Sequence, residues 1–321
     1  AGNLDEIRSL IVEHSPLPVG TVPIYSVAQK YIGQGQDPSQ MSVEEIFEEI
    51  HKQAEQGVDF MTVHCGVTRR AASLVEKGQR VMGIVSRGGS ILAKWMQVNE
   101  KENPLYEYYD DLLKLAKEFN LTLSLGDGMR PGAGIDAGDA PQWEEVVILS
   151  ELTLRAWEQG VQVMIEGPGH VPLHLVESQI RGIKQLCHNA PLYVLGPLTT
   201  DIAPGYDHIA GAIGGALAAI NGADFLCYLT PAEHLTLPDL NDVYQGVIAS
   251  LIAAHSAEVA MGRKDAVERN NEISRARKEL DWERITSLAL DPGAVKRRRE
   301  EFAGKEECAM CGEFCAVKML R

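Results

Sequence analysis

Short apolar or β-branched runs recur along the first two thirds of the chain and alternate with stretches of helical periodicity. The runs at 21–25, 58–64, 80–86, 121–126, 161–166, 192–196 and 223–228 predict strands, and a weaker segment at 199–201 predicts an eighth. Between them, 43–56 places Val43, Ile46, Phe47, Ile50 and Ala54 on one helical face, and 106–119, 143–159, 174–187 and 208–220 behave alike. Near-continuous apolar strands alternating with helices predict a parallel sheet covered by helices. Seven or eight such units fit a (β/α)8 barrel, with an open doubly wound sheet as the alternative. After about residue 238 the strand pattern stops, and 243–261, 265–281 and 292–302 predict helices. The expected organisation is an α/β barrel over 1–238, a helical C-terminal domain over 239–304 and a cysteine-bearing tail over 305–321.

The residues at the C-terminal end of each strand run favour the barrel. The runs lead into Tyr25, His64, Ser86-Arg87-Gly88-Gly89, Gly126-Asp127-Gly128-Met129-Arg130, Glu166-Gly167-Pro168-Gly169-His170 and Thr230-Pro231-Ala232-Glu233-His234. Barrel enzymes build their sites at the C-terminal ends of many strands, whereas a doubly wound sheet concentrates them at one switch point.

Composition adds exclusions. The 321 residues carry 30 Lys+Arg against 45 Asp+Glu, a formal charge of −15, which disfavours general nucleic-acid binding. No apolar run approaches the roughly 18 residues of a membrane span, and the first residues lack a secretory pattern, so a cytoplasmic protein is expected. Of six cysteines, Cys308, Cys311 and Cys315 fall together as C-x2-C-x3-C. Three thiolates on one short loop can hold three irons of a [4Fe–4S] cluster and leave the fourth open. A zinc site completed by a distant residue, or free thiols, are the alternatives. Cys65, Cys187 and Cys227 fall in or beside core elements, as buried small hydrophobes do. His170 and His234 end separate strand units and could share a divalent metal, or each could be a hydrogen-bonded loop histidine. Ser86, Arg87 and the adjoining glycines suit an anionic group, or Arg87 forms a structural ion pair. Asp127 and Arg130 could bind a polar ligand or pair with each other, and Glu166 is a candidate base or hydrogen-bond acceptor, with a rim ion pair as its alternative. Tyr25, His64 and Tyr193 are further candidates of the same kind.

The strings Gly83-Ile84-Val85-Ser86-Arg87-Gly88-Gly89-Ser90, Leu125-Gly126-Asp127-Gly128-Met129-Arg130-Pro131, Glu166-Gly167-Pro168-Gly169-His170-Val171-Pro172 and Thr230-Pro231-Ala232-Glu233-His234 carry a family resemblance. With Pro18-Val19-Gly20-Thr21-Val22-Pro23-Ile24-Tyr25 and Leu195-Gly196-Pro197-Leu198-Thr199-Thr200-Asp201, they resemble the phosphomethylpyrimidine synthase family, the thiamine pyrimidine synthases. The resemblance implies a (β/α)8 barrel, a helical C-terminal domain and a mobile tail, in homodimers where one subunit's tail reaches the other's barrel. It implies a radical S-adenosylmethionine carbon–carbon lyase acting on 5-aminoimidazole ribonucleotide, with an electron donor. By position, Cys308, Cys311 and Cys315 would ligate the [4Fe–4S] cluster whose open iron binds S-adenosylmethionine, and His170 and His234 would bind a divalent metal, zinc or iron. Catalytic roles fall to these cysteines and Glu166. Substrate contacts would come from Tyr25, His64, Ser86, Arg87, Gly88, Asp127, Gly128, Met129, Arg130, Glu166 and Tyr193.

Three departures accompany the resemblance. Gly312-Glu313-Phe314 puts three residues between the second and third cysteines, where many members have four. The sequence starts inside the family pattern, so further contacts, an Asn and a Met, are expected from an upstream region. Gly132-Ala133-Gly134-Ile135-Asp136-Ala137-Gly138-Asp139 differs from the usual continuation of the Asp-Gly-x-Arg-Pro motif. That last departure keeps open a close relative, 5-hydroxybenzimidazole synthase of anaerobic cobalamin synthesis, which uses the same substrate. A barrel binding protein with a structural zinc tail, and a metal-assisted barrel aldolase or isomerase using His170 and His234, are the readings from other classes.

Overall fold

The computed structural model describes residues 3–78, 80–308 and 310–319. Six strands form one parallel sheet: β1 (Gly20–Thr21), β2 (Phe60–Val63), β3 (Thr122–Leu125), β4 (Val163–Gly167), β5 (Leu192–Leu195) and β6 (Phe225–Cys227). Each strand pairs with the next in sequence. An order that never reverses has no switch point, which sets the doubly wound alternative aside.

Side-chain alternation divides the sheet into two faces. Met61, Val63, Leu123, Leu125, Val163, Ile165, Leu192 and Val194 are buried. They join one core with Ile46 and Ile50 from the helix Val43–Glu55, Leu112 and Leu113 from Tyr109–Glu118, Leu149 and Leu152 from Ala140–Glu158, and Val176 and Ile180 from Leu173–Leu186. The alternate residues Phe60, Thr62, Glu166, Tyr193, Leu195 and Cys227, together with Gly20 and Thr21 of β1, line a cavity of about 340 Å³. The sheet therefore curls round this space.

Three strand expectations are corrected. Residues 80–86 form no strand among the described residues, because their backbone amides are taken elsewhere: Val81 and Met82 donate N–H bonds to the Asp136 carboxylate, at 2.8 and 3.0 Å. Gly83, at φ +65°, also breaks the extended conformation. Residues 199–201 add no eighth strand; beside them lies a single bridge between His170 and Leu198. The first run ends at Thr21, since Pro23, pre-set for a first helical turn, starts the helix Pro23–Gly33 and carries Tyr25 with it.

Beyond β6 come the helices Leu240–Ala260, Lys264–Glu279, Trp282–Leu288 and Pro292–Arg299. Leu240–Ala260 packs along Asp207–Ile220 and starts on a capping box between Asp239 and Asp242. Among the described residues no helix is long and apolar enough to cross a membrane.

Candidate active site

His64, Asp127 and Arg130, just past strand ends, with Glu166 near the end of β4, Tyr193 within β5 and Tyr25 in the first turn of the helix Pro23–Gly33, line the same cavity. Arg130 Nη1 lies 3.0 Å from Asp127 Oδ1, while the buried Asp127 Oδ2 has no partner among the described residues. Burial pushes the Asp127 carboxyl up to about 8, against the opposing pull of Arg130. Glu166 Oε1 accepts from Thr62 Oγ1 at 2.8 Å and from Ser124 Oγ at 2.9 Å. The Arg87 guanidinium sits 5.1 Å from the centre of the Tyr25 ring, and burial raises the Tyr25 hydroxyl. Burial likewise raises Tyr193, which is hydrogen-bonded to Cys227.

His64 is enclosed by two glycine positions. A Cβ on Gly88 would fall 2.2 Å from its Cε1, and one on Gly126 would fall 2.9 Å from its Cδ2. Burial, then the Arg130 charge, depress the imidazole to about 3. The unfolded chain takes up a proton near 6.5 and the folded site does not, so this residue favours folding above that pH. The contribution is lost as pH falls from 6.5 toward 3. Imidazole NMR is expected to show no His64 titration between about pH 5 and about pH 8, and a midpoint in that window would contradict a dry neutral ring.

Five expected residues, Ser86, Arg87, Gly88, Gly128 and Met129, lie outside the cavity wall, Arg87 and Gly88 in the first turn of the helix Arg87–Asn99. Ser86 caps the helix Arg87–Asn99, its hydroxyl accepting the Gly89 N–H at 3.2 Å. Gly88 packs on His64, and Gly89 packs so closely on Gly128 that a Cβ would fall 2.3 Å from the Gly128 carbonyl oxygen. The Met129 side chain is fully buried in the core. Its N–H donates to Glu145 Oε2 at 2.8 Å and its carbonyl accepts from Arg80 Nη2 at 2.8 Å.

Residues not singled out from sequence hold these loops. Arg80, its side chain 1% exposed, also grips both Asp139 oxygens at 2.6 Å and the Gly83 carbonyl at 3.2 Å. With Asp136 on the Val81 and Met82 amides, the unusual stretch 132–139 serves as a strap binding the approach to Ser86-Arg87 onto the Asp127–Arg130 loop. Glu145 was discoverable as a carboxylate on the buried face of its helix, alongside Leu149 and Leu152. Thr62 and Ser124, small hydroxyls inside strand runs, gave no such signal.

His170 and His234 face each other with ring centres 5.4 Å apart, and Asp207 Oδ2 lies 2.8 Å from His234 Nδ1. A carboxylate on one ring nitrogen is the arrangement that orients the other toward a metal, so the pair fits a two-imidazole divalent site. In the tail, the Cys311 and Met310 backbone N–H groups hold the Cys308 thiol below its ordinary range. Gly312, at φ +52°, turns the chain tightly between the second and third cysteines. N–H bonds to sulfur and a tight glycine turn fit a cluster loop. Among the described residues, no group of three or more His, Cys, Asp or Glu is already gathered to hold a metal. Just before the loop, Arg299 lies 3.9 Å over the Trp282 ring and donates to the carbonyls of Phe302, Lys305 and Glu307, while Trp282 Nε1 donates to Glu306 at 2.7 Å.

Over residues 1–321 the chain matches the Radical SAM ThiC family. It is 53% identical over 320 residues to the phosphomethylpyrimidine synthase of Desulfotalea psychrophila, covering 99% of this chain and 74% of the relative. The enzymes of that name from Carboxydothermus hydrogenoformans and Thermotoga petrophila are each 54% identical, over 99% of this chain and 75% of theirs.

Proposed function

The chain belongs to the radical SAM ThiC family, and on that premise we propose that it is a phosphomethylpyrimidine synthase, a carbon–carbon lyase of thiamine synthesis. Its reaction rearranges 5-aminoimidazole ribonucleotide to 4-amino-5-hydroxymethyl-2-methylpyrimidine phosphate. The observation that carries the reading is the convergence of His64, Asp127, Arg130 and Glu166 on one cavity at the strand C-terminal ends. In this reading the curled sheet belongs to a (β/α)8 barrel, with a helical domain over 239–304 and a tail over 305–321 after it.

Cys308, Cys311 and Cys315 would hold a [4Fe–4S] cluster. With S-adenosylmethionine and an electron donor, that group supplies the one-electron chemistry of the family. His170 and His234 would hold a divalent metal, zinc or iron. The protein's own side chains bind and orient. Arg87, beside the start of a helix, and Arg130 suit the substrate phosphate. Glu166 presents an acceptor to an N–H or O–H, and neutral His64 offers one donor and one acceptor. Tyr25, Tyr193 and Asp127 complete the wall, and Ser86, Gly88, Gly128 and Met129 of the same contact set stand behind it.

A cytoplasmic homodimer is part of the proposal. Ile209, Ile213 and Ile220 on Asp207–Ile220, and Tyr244, Leu251 and Ile252 on Leu240–Ala260, are exposed apolar residues on two packed helices, a surface that suits a second copy.

The test is product analysis after anaerobic reconstitution with the ribonucleotide, S-adenosylmethionine and a strong reductant. The phosphorylated hydroxymethylpyrimidine is expected. 5-Hydroxybenzimidazole would move the protein to the cobalamin branch, and no turnover by cluster-loaded protein would overturn the reading.

A further inference from the structure

Glu166 is held from the side by two hydroxyls on neighbouring strands. The β2–β3 register pairs Thr62 with Ser124, and the β3–β4 register pairs Ser124 with Met164. Glu166, two residues beyond Met164, projects from the same face, so the three side chains form a short staircase across the sheet. Thr62 and Ser124 both donate to Oε1, at 2.8 and 2.9 Å. Ser124 is fully buried, and Thr62 reaches the cavity wall. Both lone-pair directions of Oε1 are thereby occupied, rotation of the carboxylate is resisted, and Oε2 is the oxygen left for a ligand.

We infer that Thr62 and Ser124 are positioning residues that fix the Glu166 carboxylate as a hydrogen-bond acceptor, so that the cavity selects ligands presenting an N–H or O–H donor to Oε2. The inference rests on the binding role proposed for Glu166 and narrows it: the substrate group facing this residue is a donor, and Glu166 does not serve as an acid. Two hydrogen bonds to a carboxylate favour its charged form. The other titratable groups facing it are Asp127 and Arg130 from the loop after β3, Tyr25, His64, Tyr193 and Cys227.

The test is calorimetry at one pH on the full chain with 5-aminoimidazole ribonucleotide. Thr62→Val and Ser124→Ala are each expected to weaken binding about fivefold, while Thr62→Ser, which keeps the hydroxyl, stays near wild type. In a Glu166→Gln background, Thr62→Val is expected to cost nothing further, because the hydroxyl acts through the carboxylate. Full additivity of the two changes, or an equal loss in Thr62→Ser, would sink the positioning role with the substrate reading intact. Absence of wild-type binding would sink the substrate reading. The carboxyl-carbon NMR resonance of Glu166, assigned by its loss in Glu166→Gln, then decides the positioning role: it is expected to move in Thr62→Val and Ser124→Ala but not in Thr62→Ser, and an unmoved resonance in both would overturn the inference.

Discussion

Anaerobically reconstituted Cys311→Ala is expected to lose its cluster and all turnover. A [4Fe–4S] cube held by three thiolates has no spare protein ligand, so removing the middle one leaves two, too few to keep the cube on a solvent-exposed loop. Cys311 is the exposed member of the triplet, whereas Cys315 is buried. Replacing Cys311 therefore removes a ligand without opening a cavity, and the fold should survive. Wild type should bind about four irons per chain and show thiolate-to-iron charge-transfer absorption. The variant should show neither, with unchanged circular dichroism. Retained activity would overturn the cluster reading. Stoichiometric zinc in aerobically purified wild type, with no such absorption, would return the tail to a structural role.

The second large effect belongs to Arg80. Its guanidinium is buried, and it makes two bonds to Asp139 as well as donating to the carbonyls of Met129 and Gly83. Arg80→Ala leaves the Asp139 carboxylate with only the Gln142 N–H and removes a donor from two carbonyls, and breaking a buried pair costs about 3–5 kcal/mol. Because the same guanidinium joins the approach to Ser86-Arg87 to the Asp127–Arg130 loop, kcat/KM is expected to fall together with the denaturation midpoint. A double-mutant cycle with Asp139→Ala measures the coupling, which should exceed the about 1 kcal/mol upper range of exposed pairs. A coupling below that would show the strap to be ordinary surface.

Much of the site was legible in the sequence because strand runs announce their own ends. Asp127, Arg130, Glu166 and Tyr193 lie in or just beyond runs that do form strands, and they line the cavity. The segment 80–86 misled for a definite reason. Its apolar, β-branched residues have strand propensity, but propensity says nothing of where backbone amides find acceptors, and Asp136 supplies those acceptors from 54 and 55 residues away. Tyr25 was read as a strand end although Pro23 marked a helix start two residues earlier. It still lies beside His64 and Arg87, since a first helical turn can deliver a side chain to the same rim as a strand end. The hydroxyls of Thr62 and Ser124 stayed hidden because their meaning depends on register, which no single run contains.

The clasp of Trp282 and Arg299 on the carbonyls of 302–307 sets the length of a leash. An extended chain spans at most about 3.6 Å per residue, so Cys311, four residues past Glu307, can swing only within roughly 14 Å of its anchor. While that clasp stays shut, the cysteine loop cannot roam over the molecule. Any longer journey must be made by the helices from which it hangs, with the loop carried as cargo at their end.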